Sequence, residues 1–532
     1  MEVIYKSGWF YCHDAFTFKD KLNADGFLYQ SRDKSWSTRD WFKAAKYYEY
    51  FTSETKTFFN SVTLQRDHYD PKKFKTFNYI TDKLDKVQKE GVLFALTRNH
   101  AYLAFEAGVG KTATALVYDF IDRSESKTQN PSLYIVPPNL ISNWLNEFKM
   151  WRPGVVPVVI RKATDFYLLH EPYPVEAFIV ADSLFNIDKA FGFRFISDSL
   201  KSKRFRNVIV DESHRFINFE ADRTRELFGS DLKPGGGIVH QGDKVLLLSG
   251  THMRRGPVNL YPALYALAWN LIGNMYFRQY GIRYCNGYQK RIGPRYVWDF
   301  SGSSREAELN KRIYNTFILE KTLTESRPEL IGKKIERLIT LDYDKTKKIT
   351  KLENSLLGSG SFSDFVPTKD ISKLSAYRRE LAKDKVKIAF DYISSQLDGK
   401  PSAIFCVHHE TIDLVLSMFK KYRPKEISGR VKPKEREKIE KDFQAGRLKL
   451  IVWQVQTAYG RNAQAGSRCF FIESPWSPDE IEQAVNRFYR RGQKNIVVAD
   501  HLVLANTLDS YVLKKCLGKK ETINNVKKGV SI

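Results

Sequence analysis

The sequence predicts an α/β protein of two parallel-sheet lobes in tandem, preceded by a small α+β domain and separated by a helical insertion. Three observations carry this expectation. Short apolar runs alternate with polar, helix-forming stretches from about residue 76 onward; a second series of the same kind begins after Leu381; and the first 75 residues differ in texture, being dense in aromatics. Apolar runs of that kind read as strands covered on both faces by crossing helices. The 532 residues, 42% of them hydrophobic, suffice for two or three domains, each with its own core.

In chain order, residues 1–75 form the accessory domain. It carries Trp9, Phe10, Tyr11, Phe27, Tyr29, Trp36, Trp41, Tyr47 and Tyr48, and a charged linker at 67–75 ends it. Residues 76–270 form the first lobe, with strands expected at 102–105, 133–136, 177–180, 207–210 and 244–248. Residues 271–385 read as largely helical and basic, and the small polar run GSGSFSD at 358–364 as a mobile loop. Residues 386–532 form the second lobe. Its strands are expected at 403–407, 449–453, 468–472 and 496–502, its helices at 411–422 and 434–444.

Composition narrows the class. No stretch approaches the roughly 18–20 uninterrupted apolar residues of a membrane helix, and no basic start followed by an apolar signal core opens the chain. An intracellular protein is expected, in the cytoplasm or nucleoid of a prokaryote or an infected host cell, or in the nucleus of a eukaryote. Cys12, Cys285, Cys406, Cys469 and Cys516 lie far apart, without a CxxC pair or histidines at zinc-ligand spacing, so reduced structural thiols are expected. The net charge of +25 favours polyanions at long range, but charge by itself leaves nucleic acid and a generic basic surface about equally open.

The strand ending at Phe105 runs into EAGVGKTATAL (106–116). Small residues there let the amides of Gly108, Val109, Gly110, Lys111 and Thr112 turn inward around phosphate, at the positive end of the following helix. Lys111 would neutralise the β and γ phosphates and the Thr112 hydroxyl would reach Mg²⁺. Phe105 stands where the generic GxxxxGKT pattern has its first glycine, and taken alone these residues also fit a glycine turn before an ordinary helix. About a hundred residues on, a second apolar strand delivers Asp211, Glu212, Ser213 and His214. Asp211 suits magnesium, and Glu212 suits activation of an attacking water. Far downstream, QAVNRFYRRGQ (483–493) sets Arg487 and Arg490 three apart, on one face of a helix, where two guanidinium forks would meet a phosphate. A solvated basic helix is the alternative for that pair.

With these residues in view, the chain resembles the Swi/Snf-like branch of helicase superfamily 2, the double-stranded DNA translocases, over about residues 84–513. LDKVQKEGV (84–92) is similar to the glutamine motif, which implies that Gln88 meets adenine. LAFEAGVGKT (103–112) resembles the phosphate loop, with Phe105 where an acidic residue is usual. IVPPNLISNWLNEF (135–148) resembles the motif that follows, Trp144 included. DESHRFIN (211–218) keeps the terminal asparagine but carries Ile217 for the usual lysine. LLLSGTHMRRGPVNLYPAL (246–264) resembles the SGTP coupling motif, with His252 in the proline's place, and implies coupling roles for Ser249, Gly250 and Thr251, together with Gln483. QTAYGRNAQAGS (456–467) resembles a weakened motif V that retains Asn462 and Gly460, the latter assigned to the nucleotide. Within the branch the likeness is nearest to the HARP-type annealing helicases. It rests on residues 279–313, with their RYC and DFSGSS, and on 18–41, which resemble a HARP-like nucleic-acid-recognition module; a generic α+β accessory domain is the alternative there.

The resemblance implies RecA-like lobes that close on ATP and Mg²⁺, with Glu212, Lys111, Arg487 and Arg490 catalytic. It implies a DNA-dependent ATPase, a monomer on DNA, that translocates on duplex or branched DNA and remodels forks or recombination intermediates in replication, recombination or repair. Pro137, Asn143, Ser183, His408 and Thr457, at loops after strands, are the expected DNA contacts, though each is nearly as well read as an ordinary loop residue. A strand-separating DNA or RNA helicase and a catalytically silent DNA-binding scaffold are competing expectations. The intact Lys111, Asp211, Glu212, Arg487 and Arg490 count against the scaffold. The compact chain suits a phage or bacterial member as well as a eukaryotic one.

Overall fold

The computed structural model describes residues 1–57 and 78–509, apart from 7–8, 32, 40, 127, 171–173, 190–194, 231–234, 255, 293, 358–370, 459–461, 476–477 and 491. The chain divides into two compact units, the first running to Thr322 and the second beginning at Leu323.

The aromatic start folds into the expected α+β module. Strands β1 (Glu2–Lys6), β2 (Trp9–His13), β3 (Leu28–Gln30) and β4 (Ser35–Thr38) form an antiparallel sheet in the order β1-β2-β4-β3. Alternation along β2 sends Phe10 and Cys12 inward, where they join Val3, Leu22, Phe27, Ala44, Tyr47 and Phe51 in a core separate from that of the lobe. Within the first unit, the Asn274 amide donates to the Arg39 carbonyl at 3.4 Å. The linker expected at 67–75 lies outside the described residues.

The first lobe is a seven-stranded sheet. It contains β5 (His100–Phe105), β6 (Ser132–Val136), β7 (Val158–Ile160), β8 (Ala177–Ala181), β9 (Phe205–Val210) and β10 (Gly242–Leu248). The hairpin strands β11 (Tyr288–Ile292) and β12 (Arg295–Asp299) follow, and β13 (Ile318–Lys321) then returns to pair with β5. The order is β13-β5-β10-β9-β6-β8-β7, every pairing parallel. Every residue of β6 and β8 is buried, which is what their unbroken apolar runs demand. Leu248 pairs with Leu103 and Leu247 with Val210, so β5, β9 and β10 end side by side.

The second lobe is a parallel sheet of β14 (Lys334–Leu341), β15 (Ser402–Cys406), β16 (Lys425–Ile427), β17 (Leu450–Gln454), β18 (Arg468–Phe471) and β19 (Val497–Leu504), in the order β14-β19-β18-β15-β17-β16. Val386, Ala389, Ile404, Ile412, Val415, Val452 and Phe470 form its core.

The segment 271–385 departs from the helical insertion expected there. It holds helices, including Phe277–Tyr284, Glu306–Ile313 and Lys347–Leu357, but also β11 to β14, and it is shared between the units: β13 extends the first sheet and β14 the second. The expected boundary at 385/386 falls inside one helix, Ile371–Gln396. That helix continues because its apolar series does: Leu374, Tyr377, Leu381, Val386, Ala389 and Ile393 are all buried. Lys385, also buried, donates to the Ile472 and Leu502 carbonyls at 2.6 and 3.0 Å and pairs with Asp509 at 2.5 Å, tying the helix to the ends of β18 and β19. The expected loop at 358–364 lies outside the described residues.

Cys12, Cys285, Cys406 and Cys469 are free and buried, and Cys516 lies outside the described residues. Among the described residues no helix is long and apolar enough to cross a membrane.

A buried polar knot fixes the first lobe. Asp119, fully buried on the helix Lys111–Glu125, accepts from Tyr134 at 2.7 Å and from the Asn207 amide at 2.9 Å, and also bonds Ser132 and the Arg152 guanidinium. It joins that helix to β6, to β9 and to the end of the helix Ile141–Trp151. Asp119→Ala would leave the Arg152 charge buried with only Glu176, at 3.1 Å, beside it. The expected loss is about 3–5 kcal/mol, read as an earlier first-lobe transition in urea; a shift under about 1 kcal/mol would mean that Glu176 carries the pairing.

Candidate active site

The carboxyl ends of parallel strands are where an open α/β sheet presents its loops, and in the first lobe three motif loops emerge there next to one another. After β5 the backbone passes through Gly108 (φ +94°) and Gly110 (φ +97°) before the helix Lys111–Glu125 begins. The left-handed conformation at Gly110 is one an L side chain resists, and a Cβ there would also strike the Gln88 amide at 2.0 Å. Gln88 sits in the capping box of the helix Lys86–Leu96: its backbone N–H donates to Asp85 at 2.8 Å while its Oε1 accepts from the Asp85 N–H at 2.9 Å. Its Nε2 then donates to the Val109 carbonyl at 3.1 Å, so Gln88 braces the phosphate loop directly. Lys111 Nζ donates to the Phe105 carbonyl at 2.8 Å, and Thr112 is half-buried in the first turn of the helix.

After β9 comes the acidic pair. Asp211 is buried and accepts from the Trp144 indole N–H at 2.8 Å and from the Glu212 backbone N–H at 2.9 Å. Burial, reinforced by the neighbouring Glu212 charge, pushes its carboxyl pKa up to about 7, against the pull of Trp144 and Lys111. Glu212 has a left-handed backbone (φ +48°), and its carboxylate lies 3.1 Å from His214 Nδ1. The same imidazole nitrogen lies 2.9 Å from Ser249 Oγ in the loop after β10, and Ser249 Oγ accepts from the Thr251 N–H at 3.0 Å. A chain of polar contacts thus runs from Glu212 through His214 into the SGT loop. Gly250 closes the circuit: a Cβ there would stand 3.1 Å from the Phe105 carbonyl, so the loop lies against the start of the phosphate loop.

The second lobe gathers its own cluster. The helix Pro478–Val485 stops before the arginines, and residues 486–490 continue as turns, so Arg487 and Arg490 do not share a helical face as the spacing predicts. The cause is visible at the helix end: Arg487 folds back, its Nε donating to the Gln483 carbonyl at 3.1 Å, while Arg490 bonds the Asn462 side chain. Asn462 is itself held by Glu440, which accepts its backbone N–H at 2.8 Å. Gln493 braces the turn, its Nε2 reaching the Gly466 and Phe488 carbonyls at 2.8 and 3.0 Å. Among the described residues the buried Gln483 Oε1 has no hydrogen-bond partner. Gly460 lies outside the described residues.

The expected DNA contacts sit unevenly. Asn143 is exposed on the helix Ile141–Trp151, Ser183 is half-buried just after β8, and Pro137, directly after β6, is buried. His408 and Thr457 follow β15 and β17, but their side chains are used internally. His408 Nδ1 meets Glu473 at 2.5 Å, and the Thr457 hydroxyl lies 2.8 Å from the Gln454 carbonyl. Glu473, which also accepts from the Val407 and His408 backbone N–H groups, is buried at the end of β18 and escaped sequence reading because its partners are 65 and 66 positions away.

Two family models match the chain: the SNF2-related domain over residues 87–276, and the helicase conserved C-terminal domain over 384–492. The chain thus carries an SNF2-related domain followed by a helicase C-terminal domain. The chain is 27% identical over 447 residues to "DNA annealing helicase and endonuclease ZRANB3" of Homo sapiens, covering 80% of the chain and 39% of that protein. It is 25% identical over 460 residues to "SWI/SNF-related matrix-associated actin-dependent regulator of chromatin subfamily A-like protein 1" of Drosophila melanogaster, covering 84% of the chain and 56% of that protein. It therefore spans less than two thirds of the length of the curated relatives it matches. Among solved structures, "Sulfolobus solfataricus SWI2/SNF2 ATPase core in complex with dsDNA" matches at 19% identity and a TM-score of 0.40, over 85% of this chain and 94% of that one.

Two of the departures from the SNF2-related motifs have structural counterparts. The Phe105 ring is fully buried and fills the space beside Gly91, where a Cβ would stand 2.6 Å from it. Phe105 is therefore a core residue beneath the phosphate loop, and its carbonyl, not its side chain, faces Lys111. His252 is buried, its Nε2 2.8 Å from the Tyr314 hydroxyl and its ring edge-on to Tyr102. Nothing in the structure explains Ile217. The tryptophan on Asp211 was visible in sequence only as part of a motif. Its role depends on β6 lying next to β9, which brings the following helix over the acidic pair.

Proposed function

We propose that this chain is a DNA-dependent ATPase that translocates on duplex or branched DNA, remodelling forks or recombination intermediates. The observation that supports it most is the convergence of Lys111, the Asp211–Glu212 pair and the SGT loop at three adjacent strand ends, joined through His214 and Ser249. In this reading the amides of residues 108–112 and Lys111 hold the phosphates, and Gln88 both braces the loop and meets adenine. Glu212 takes the proton of the attacking water. Arg487 and Arg490 meet a phosphate through their guanidinium groups, and the Glu212–His214–Ser249 contacts pass the state of the γ-phosphate to the loop after β10.

The donor set fits a divalent cation bound together with nucleotide. Asp211 and Thr112 are hard oxygen ligands, and Glu212 adds a second carboxylate beside the buried Asp211. Among the described residues no group of three or more His, Cys, Asp or Glu side chains forms a metal cage. Bound there, Mg²⁺ would neutralise charge developing on the phosphates. Asp211 and Thr112 orient it, Trp144 holds Asp211 in place, and Gly250 keeps the coupling loop against the phosphate loop.

ATP hydrolysis measured without nucleic acid and with single-stranded, duplex and forked DNA and RNA tests the proposal, with Glu212→Gln as the inactive control. Stimulation by duplex or forked DNA is expected. Equal stimulation by RNA points instead to a strand-separating RNA helicase, and no hydrolysis at all to a DNA-binding scaffold. Trp144→Phe keeps the ring against Tyr134 but removes the indole donor from Asp211. It is expected to raise the Mg²⁺ concentration for half-maximal hydrolysis about tenfold; an unchanged Mg²⁺ titration would show that the hydrogen bond does not position the ligand.

A further inference from the structure

The hairpin β11–β12 departs most from its surroundings. Its register sets Arg291 opposite Tyr296 and Gln289 opposite Trp298, so these four share one face. Along that face Tyr296, Trp298 and Phe300 alternate into a ladder. The lower rungs are fixed: Phe300 stacks on Trp298 (5.6 Å between ring centroids, 10° between planes) and meets Phe277 edge-on at 5.3 Å. Gly281 and Gly287 approach the Phe300 ring so closely that a Cβ on either would stand 2.5–2.6 Å from it. Arg278 lies over Trp298 at 4.5 Å, and on the other face Lys290 pairs with Asp299 at 2.5 Å. The upper rung is not packed away: Tyr296 is 68% exposed, and Arg291 opposite it is exposed as well.

A stiff, anchored ribbon that holds a tyrosine ring out in water among arginines calls for a partner, because an exposed aromatic strand is otherwise a liability for association. The cations Arg278 and Arg291 select a polyanion, and a flat exposed ring on their face selects one that also offers flat faces. Phosphates alone would need no ring. Bases inside a duplex already stack on each other and offer only their edges, whereas unpaired bases offer a face that any aromatic ring can take regardless of sequence.

We propose that the β11–β12 hairpin binds unpaired DNA bases where the strands of a branched DNA part, Tyr296 stacking on a base and Arg291 lying along its phosphate. The inference rests on the proposed action on DNA. It gives that action a place where branched and blunt DNA are told apart.

The test uses the full chain without ATP, a forked DNA carrying 2-aminopurine at its first unpaired position, and a blunt duplex of the same length. Tyr296→Ala is expected to weaken binding of the fork about tenfold, to abolish quenching of the 2-aminopurine, and to leave the blunt duplex and the thermal transition unchanged. Tyr296→Phe, which keeps the ring, is expected to retain both affinity and quenching. Equal weakening on fork and duplex would mean a contact to duplex and overturns the inference. Unchanged fork binding and quenching in Tyr296→Ala overturns it too, and with wild-type hydrolysis still stimulated by DNA the proposed function survives. A wild-type chain that binds neither DNA overturns both.

Discussion

Glu212→Gln is expected to lower DNA-stimulated turnover by about 10²–10⁴-fold while leaving nucleotide affinity within about threefold of wild type. The substitution preserves size and the ability to accept a hydrogen bond, but an amide cannot take a proton from water. The backbone supports reading Glu212 as a built feature. A non-glycine residue at φ +48° is held at a cost of about 1–3 kcal/mol, which persists only where both sides are fixed. Here the preceding Asp211 is pinned by Trp144, and the following Ser213 donates to the Tyr102 hydroxyl at 2.8 Å. The result aims the Glu212 side chain at His214 and the SGT loop. Single-turnover hydrolysis, paired with binding of a fluorescent ATP analogue, separates the two quantities. A loss below tenfold would place the base elsewhere, and a parallel loss of nucleotide affinity would mean that Glu212 holds the bound state together.

The parts of this molecule that sequence made legible are those whose physics is local. Strands such as β6 and β8 are covered on both faces, so an uninterrupted apolar run announces them. The phosphate loop is local because two left-handed glycines and a helix start lie within a few residues, and the acidic pair because it ends an apolar strand. What escaped depends on contacts distant in the chain or on weak periodicity. Along β14 no residue is fully buried, and Ile335 and Leu338 are exposed while Lys334 and Arg337 are partly buried; β11 and β12 are mostly exposed, so all three read as part of a basic helical stretch. The strands β7, β13 and β16 are three or four residues long, too short for a period of two to register. Trp144 reaches Asp211 across 67 positions and His252 reaches Tyr314 across 62, so neither pairing has a local signature. Gln88 carries a second lesson. The resemblance assigned its amide to adenine, but the same amide also caps its own helix and clamps Val109, a role visible only once the two helices are seen together.

Arg490→Ala is expected to lower DNA-stimulated turnover by about 10³–10⁵-fold, with Arg490→Lys recovering little of it, because a lysine cannot present two donors to two phosphate oxygens. The same QAVNRFYRRGQ run also fitted a solvated basic helix, and the two readings differ in what they predict. On a solvated helix an arginine substitution falls within about 0.5 kcal/mol in either direction, less than a threefold change. The run is not such a helix: it leaves the helix at Val485, and Arg487 and Arg490 are each drawn to a specific neighbour, the Gln483 carbonyl and the Asn462 side chain. Asn462 is fixed in turn by Glu440, so Arg490 is aimed through two successive bonds. Asn462→Ala, which removes the aim but keeps the charge, should therefore cost turnover by a smaller factor, about tenfold, without altering nucleotide affinity. If Arg490→Ala and Asn462→Ala cost the same, the guanidinium acts only in holding the turn; a deficit far larger in Arg490→Ala than in Asn462→Ala, and undiminished in Arg490→Lys, assigns it to the phosphate.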